Sequence, residues 1–366
     1  LTCTVDTVLG LVQNQRKGLY AWPALCDACV VFDEVHAYDT RLFGALLRFL
    51  DALPGIPVLL MTASLPSARL QAIQALSQRV HGAPLAEIEG PADLEELARY
   101  QRMSVESEWS EVEACLGRGG KVLWVCNTVN RCLDVAAEAE RRGLPVWRYH
   151  SRFRYIDRVQ RHGELIQTFQ REGPVLACTT QVAEMSLDLS ADLLVTDRAP
   201  IPALIQRLGR LNRRCTPEHP SPPAPFIVRP FSGAPYDQPS DLLPEADAWL
   251  ARLGTRPLSQ RDLVAAWQSP PDGGALGALP SAWLDGGFET APAELREASP
   301  GLTVLRSEDA EAVRQGQMKA VEAALPMNAP PQALRWKTWP REAFLPVAPP
   351  DALDYDPLRG ARWRKP

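Results

Sequence analysis

The stretch VVFDEVHAYD, Val30 to Asp39, sets the fold reading for the rest of the chain. Ala28 to Phe32 is a short apolar run, the pattern of a buried strand. Asp33 and Glu34 follow at its carboxyl end, where open α/β sheets place their ligand crevice. Two adjacent carboxylates there suit two tasks: one holds Mg²⁺ through water, the other orients an attacking water. An Asp-Glu pair is equally at home at a solvated strand end, so its meaning depends on what surrounds it.

The surroundings alternate. Thr40 to Leu53 carries a helical stripe (Leu42, Leu46, Phe49, Leu50, Leu53), Pro54-Gly55 ends it, and Val58 to Met61 gives the next strand. Residues 86–116 turn acidic and read as a solvated connection. A second unit, 117–214, repeats the alternation more regularly. Its expected strands are KVLWVC from Lys121, PVWRY from Pro145, PVLACT from Pro174 and DLLVT from Asp192. Its expected helices are Asn130 to Arg142, Arg154 to Gln170 and Pro202 to Arg214. The expected fold is therefore α/β, two parallel-sheet lobes in 1–85 and 117–214, with helices on both sheet faces. Of 34 prolines, 24 fall in residues 215–366. There 215–245 reads as a proline-rich linker and 246–366 as a partly helical accessory region, with helices near 245–253, 259–268 and 308–325.

Composition narrows the class. A chain of 366 residues has room for two or three domains, and 46% hydrophobic with 23% charged residues is ordinary for a soluble protein. No run of about 18 apolar residues occurs, so no membrane span is expected. No basic segment precedes an apolar core, so no signal peptide is read, and the start at Leu1 rather than Met suggests a fragment or processed product. Eight cysteines in this length do not form a disulfide framework, and Cys26-x-x-Cys29 lacks a second ligand pair for zinc. Buried free thiols and a reducing cytoplasm are the expectation. The net charge of −5 does not advertise a nucleic-acid binder, yet seven arginines crowd Arg141 to Arg161 against the single acid Asp157. That cluster suits phosphates, and suits a solvated helix face as well.

Four further segments fall at element junctions. MTASLP from Met61 places the hydroxyls of Thr62 and Ser64 at the sheet edge of Asp33, and CNTVNRC from Cys126 again follows a strand. TTQVAEMSLDLSADLLVTD from Thr179 contains Asp188, and QRLGRLNRR from Gln206 lies on an expected helix. At i, i+4 and i+7, Gln206, Arg210 and Arg213 share one helical face, with Arg207 turned about a quarter turn away. Arginines on one face can stabilise a transferring γ-phosphoryl group.

Taken in order, the segments resemble motifs II, III, IV, V and VI of superfamily 2 helicases with RecA-like lobes. FDEVHAYD, HSRFRYIDR from His150 and QVAEMSLDL narrow the resemblance to the CRISPR-associated helicase–nuclease of type I systems. TCTVDTVLG from Thr2 is similar to the segment preceding motif II in that family, so the resemblance covers residues 2–214. It implies ATP and Mg²⁺ as cofactors and two lobes closing over the nucleotide with single-stranded DNA across both. On that resemblance Asp33 coordinates Mg²⁺ through water, Glu34 orients the hydrolytic water, and His36 couples the nucleotide site to motif III. Thr62 and Ser64 link hydrolysis to DNA contact. Gln206, Arg210 and Arg213 close on the γ-phosphate, and Asp188 helps hold that interface or the ribose. Thr4, Asp6, Asn127, Thr128, Ser151, Arg152 and Thr180 line the DNA track. The implied partner is the guide-RNA surveillance complex that opens the target.

The sequence also departs from that pattern. No G-x-x-x-x-G-K-[ST] phosphate loop occurs, and GRGGK from Gly117 has the wrong spacing and no following hydroxyl. This leads to the expectation of a truncated first lobe and weak ATP hydrolysis by the chain alone. The five histidines (36, 81, 150, 162, 219) are never followed by Asp, so a His-Asp nuclease is expected elsewhere or as a separate protein. Two other readings stand beside this one: a general superfamily 2 helicase of repair or RNA metabolism, and an ATPase-dead DNA-binding or docking module.

Overall fold

The computed structural model describes residues 2–62, 65–236, 242–267, 276–281, 284, 294–295, 301–330 and 334–364. The chain divides into two compact units, 1–89 with 268–299 and 90–267 with 300–366. No helix among the described residues is long and apolar enough to cross a membrane.

In the first unit α1 (Val5–Leu9) and α2 (Arg16–Cys26) precede β1 (Val30–Phe32), α3 (Thr40–Ala52), β2 (Val58–Leu60) and α4 (Ser67–His81). The two strands pair in parallel, Val31 opposite Leu59 and Phe32 opposite Leu60. Helix α3 starts where Asp39 Oδ1 accepts the Leu42 amide at 2.7 Å, a side-chain cap that satisfies one of the open N–H groups of the first turn. Its apolar stripe, Leu42, Phe43, Leu46 and Phe49, is fully buried, and Phe49 meets Phe32 edge to face at 5.5 Å. Leu276, Leu279 and Leu295 pack on this same core, although their stretch reads in sequence as part of the accessory region. Cys26 and Cys29 are free, but both are exposed rather than buried.

The second unit holds a seven-stranded sheet built from β3 (Tyr100–Arg102), β4 (Lys121–Val125), β5 (Val146–Tyr149), β6 (Val175–Thr179), β7 (Leu193–Asp197), β8 (Ala224–Arg229) and β9 (Pro257–Leu258). The order is β5-β6-β4-β7-β8-β3-β9, parallel except at β3–β9. Both faces are covered. Leu123 and Val125 of β4 point into one core, Val122 and Trp124 into the other, as a strand inside a parallel sheet requires. Helices α5 (Ala92–Glu95), α6 (Glu108–Gly117), α7 (Val129–Arg141), α8 (Tyr155–Gln170), α9 (Val182–Ser186), α10 (Ile201–Leu208), α11 (Leu242–Leu253) and α12 (Gln260–Ala265) connect and flank the strands. The connections that follow β4 and β7 leave toward opposite edges of the sheet, which opens a crevice outside their carboxyl ends.

Two stretches differ from their sequence reading. The acidic run 86–116 contains β3 and α6, and β3 is hydrogen-bonded between β8 and β9. Within the proline-rich run 215–245, APFIVR forms β8 between β7 and β3. Pro225 is tolerated because pairing with β7 begins only at Phe226, so its missing N–H removes no bond on that side.

The carboxyl-terminal part of this unit is largely β. Strands β10 (Gly301–Arg306), β11 (Leu325–Asn328), β12 (Arg341–Glu342) and β13 (Leu345–Ala348) form a sheet ordered β11-β10-β13-β12. Helices α13 (Ser307–Arg314) and α14 (Ala320–Ala323) occupy the expected 308–325 helix, and β14 (Leu353–Asp356) with β15 (Gly360–Trp363) makes a hairpin. This module is stitched to the segment His150–Arg161. The Ala361 amide donates to Arg152 O at 2.7 Å, the Tyr155 amide donates to Ala324 O at 3.0 Å, and Arg154 pairs with Asp309 at 2.9 Å. Gly360 has φ 75°, and a Cβ there would lie 2.6 Å from His150 Cε1, so only glycine permits this approach.

His150 is fully buried, stacks on Phe153 at 4.5 Å, and its Nδ1 accepts the Arg152 amide at 3.2 Å. Burial pushes its imidazole down to about 3, and the Arg152 cation adds to the lowering. The unfolded chain, with its ordinary value of about 6.5, binds more protons as the medium acidifies. His150 therefore contributes stability that is present above about pH 6.5 and is lost as pH falls toward 3. Between pH 7 and 4 the second unit should lose roughly 3 kcal/mol more in the native protein than in a His150→Gln variant, read from urea midpoints. Parallel pH profiles for the two would refute this assignment.

Candidate functional site

In the first unit, the loop after β1 turns sharply because Glu34 sits in the left-handed region, φ 54° and ψ 42°, a strained position for a residue with a Cβ. Asp33 Oδ1 accepts the Glu34 amide at 2.9 Å, and the Val35 amide donates to Met61 O at 3.2 Å, which ties this loop to the one after β2. His36 Nδ1 lies 3.2 Å from Glu34 Oε2 and 3.3 Å from Thr62 Oγ1. A carboxylate oxygen only accepts, so in this contact the imidazole carries its proton on Nδ1. Burial holds His36 below its ordinary value against the opposing pull of Glu34, and the Arg69 cation adds to the lowering. A neutral imidazole thus bridges a carboxylate and a hydroxyl from two successive strand ends.

The structure brings Asp33, Glu34, His36 and Thr62 together; Ser64 lies outside the described residues. Asp33 is exposed, with one oxygen held by backbone. No group of three or more His, Cys, Asp or Glu side chains able to hold a metal occurs among the described residues. A single exposed carboxylate fits a Mg²⁺ that keeps most of its waters and arrives with phosphate oxygens. Thr4 and Asp6 lie at the start of α1, where Thr4 Oγ1 contacts Thr7 Oγ1 at 3.1 Å.

The second unit's crevice is built differently from the sequence reading. Helix α10 stops at Leu208, and the Ala191 amide bonds to Arg210 O at 2.9 Å in a short bridge, so Gln206, Arg210 and Arg213 do not share one helical face. Leu211 is drawn into the core beside Ala191, which the chain cannot do while remaining helical. The residue at the centre is Arg207, expected to turn away and instead fully buried. Its guanidinium meets Glu184 Oε1 at 2.8 and 2.9 Å, Thr196 Oγ1 at 2.8 Å, Asp197 O at 3.1 Å and Asn127 Oδ1 at 3.0 Å. Burial raises the Glu184 carboxyl, and the Arg207 charge opposes that rise. Beside it Arg131 grips buried Asp197 through two bonds of 2.6 and 2.8 Å. These bonds raise the Arg131 guanidinium above its ordinary value.

Arg210 is also buried, its Nε and Nη2 donating to Ala183 O and Glu184 O at 3.1 and 2.6 Å. Arg213 remains at the surface, 3.2 Å from Asp188, which is 81% exposed. An exposed pair of this kind contributes little to stability, about 0–1 kcal/mol.

Several residues expected on a DNA track have other partners. Asn127 is buried and bonded at every polar group: its amide to Asp197, its Nδ2 to Arg198 O, its Oδ1 to Arg207 and its carbonyl to Gln181. Thr128 caps α7 by accepting the Arg131 amide at 3.3 Å, and Thr180 is buried. Ser151 is partly exposed, and Arg152 reaches Asn130 Oδ1 at 2.8 Å. The arginine cluster is likewise engaged within the protein. Arg141 and Arg142 pair with Glu138, Arg148 with Glu140, Arg154 with Asp157 and Asp309, and Arg161 with Pro357 O, while Arg158 lies over the Tyr155 ring. Sequence reasoning missed Arg207, Glu184, Asp197 and Arg131. The signal for Arg207 was present in its neighbours, because Leu204, Ile205 and Leu208 mark the buried side of α10.

Residues 118–216 match the family of the C-terminal part of the CRISPR-associated nuclease/helicase Cas3. A Myxococcus xanthus protein bearing the name CRISPR-associated nuclease/helicase Cas3 is 62% identical over 369 residues, covering 100% of this chain and 49% of the relative. The CRISPR-associated endonuclease/helicase Cas3 of Thermus thermophilus is 31% identical over 313 residues, covering 64% of this chain and 32% of its own length. The chain thus spans about half or less of the curated relatives it matches. The crystal structure of T. fusca Cas3-AMPPNP superposes with a TM-score of 0.73 at 19% identity, over 98% of this chain and 56% of the other. A chain of a CRISPR RNA-guided surveillance complex, pre-nicking, superposes with a TM-score of 0.64 at 19% identity, over 98% of this chain and 59% of that one. The shared fold is α/β with RecA-like parallel sheets.

Proposed function

By these matches the chain is a Cas3-type helicase part, and on that premise we propose that it acts as an ATP-dependent single-stranded DNA translocase of CRISPR interference. It unwinds target DNA opened by a guide-RNA surveillance complex, and a His-Asp nuclease supplies cleavage from outside this sequence. The observation that carries the reading is the loop cluster of Asp33, Glu34, His36 and Thr62, where one neutral imidazole touches both a carboxylate and a hydroxyl. Glu34 is the base that orients water, and His36 passes its position to Thr62, so a change at the carboxylate is felt at the next strand end. Asp33 would hold Mg²⁺ through water, and the ion would neutralise charge on the phosphates. In the second unit Arg210 fastens α9, which leaves Arg213 as the arginine available to a phosphoryl group.

The test uses a chimaera in which this chain replaces the matching part of the M. xanthus relative. The expected result is ATP-dependent release of a labelled strand from a duplex flanked by single strands. Tight DNA binding with no release under any nucleotide would replace this reading with the docking-module one.

A further inference from the structure

We propose that the β12–β13 hairpin tip, with the adjoining turn at Trp336–Thr338, is a contact surface for single-stranded nucleic acid. Phe344 stacks on a base, and Arg335, Lys337 and Arg341 hold the flanking phosphates. The starting observation is Phe344 itself, 93% exposed at the end of a two-residue connection. Glu342 pairs with Leu345, so Ala343 and Phe344 are the two central residues, with φ 46° and 71°. Such a turn normally takes Asn-Gly, because positive φ crowds a Cβ. A phenyl ring placed there is strained in its backbone and buries nothing. Strain of this kind persists where the surrounding structure imposes it, and it clusters at contact sites.

The imposing structure is visible. Arg341 Nη1 donates to Phe344 O at 3.2 Å, which locks the tip, and Val347 N donates to Pro340 O at 2.8 Å. Trp339 rests on Trp363 at 6.0 Å and anchors the turn below. Arg335, at the head of that turn, is a third non-glycine residue at positive φ, 40°.

The charge pattern selects the ligand. The run RWKTWPREAF, 335 to 344, interleaves aromatics with cations, and its single acid, Glu342, is paired with Arg314 at 3.2 Å. Among the described residues Arg335, Lys337 and Arg341 are exposed and meet no carboxylate, unlike Arg141, Arg142, Arg148 and Arg154. An exposed ring beside cations free of carboxylates suits a base and its phosphates, since every base has a π-face and stacking tolerates any sequence.

This inference takes its ligand from the function proposed above, and the test separates the two. Anisotropy of a labelled oligothymidine is measured with the full chain and its variants. Phe344→Ala should weaken binding about tenfold, while Phe344→Trp retains it. The Arg335→Ala/Lys337→Ala pair should weaken binding and lower the salt slope by about 1.4, the single-strand value for two phosphate contacts. Leu358→Ala, at the exposed tip of the β14–β15 hairpin, should change nothing. If the native chain binds and Phe344→Ala binds equally well, the surface is wrongly assigned and the DNA reading stands. If the native chain binds no single strand, both fall.

Discussion

Replacing Arg207 by alanine is expected to destabilise the second unit by ~3–5 kcal/mol, the cost of breaking a buried ion pair from one side. Four kinds of acceptor lose their donor at once: the Glu184 carboxylate, the Thr196 hydroxyl, the Asp197 backbone carbonyl and the Asn127 side-chain carbonyl. The carboxylate dominates, because burial already raises its protonation point and Arg207 is the charge that opposes this. Without the guanidinium, Glu184 sits further above its unfolded value. A raised carboxyl favours folding below the unfolded value and loses that contribution as pH climbs through the folded one. The penalty for Arg207→Ala should therefore be smallest near pH 4 and grow toward pH 8. Adding Glu184→Gln should recover a substantial part, since the remaining polar atoms are neutral. Urea midpoints across pH measure all of this. A loss under about 0.5 kcal/mol, the range of an ordinary surface change, would show that Arg207 fastens nothing.

Replacing Glu34 by glutamine is expected to lower DNA-stimulated ATP hydrolysis by the chimaera roughly 10²- to 10⁴-fold, the scale of a lost general base. The amide has the same shape and still accepts from His36 Nδ1, so the loop with its left-handed Glu34 is preserved. What it cannot do is draw a proton from water. The effect should fall on kcat with KM little changed, because substrate binding does not depend on that proton transfer.

The strands legible in sequence are apolar runs: β4, β6 and β7 bury both faces, and β1 buries Val30 and Phe32 while Val31 is exposed. Their helices carry 3.6-residue stripes. β3 was hidden because Tyr100–Arg102 is three residues long and two of them are polar, its place in the sheet set by β8. β8 and the carboxyl-terminal sheet were hidden by proline. Pro225, Pro326 and Pro346 all lie within strands, where a sequence reading expects none. At the site, Asp33, Glu34, His36 and Thr62 were legible because strand ends fix their place. The second unit's residues were mispaired because a helix was continued through Gly209. Once the helix ends at Leu208, Arg210 turns back onto the carbonyls of α9 and Arg207 becomes the centre. Asn127 was legible as a strand-end residue, whereas its partners Asp197, Arg198, Arg207 and Gln181 come from segments far along the chain that its own neighbourhood does not reveal.

The measurement that bears most directly on this account is the rate of ATP hydrolysis by the chimaera, with and without single-stranded DNA, for the native residue and for Glu34→Gln. The account predicts a rate that rises on adding DNA and collapses in the variant while nucleotide binding persists. A rate indifferent to DNA, or one that survives Glu34→Gln, would contradict it.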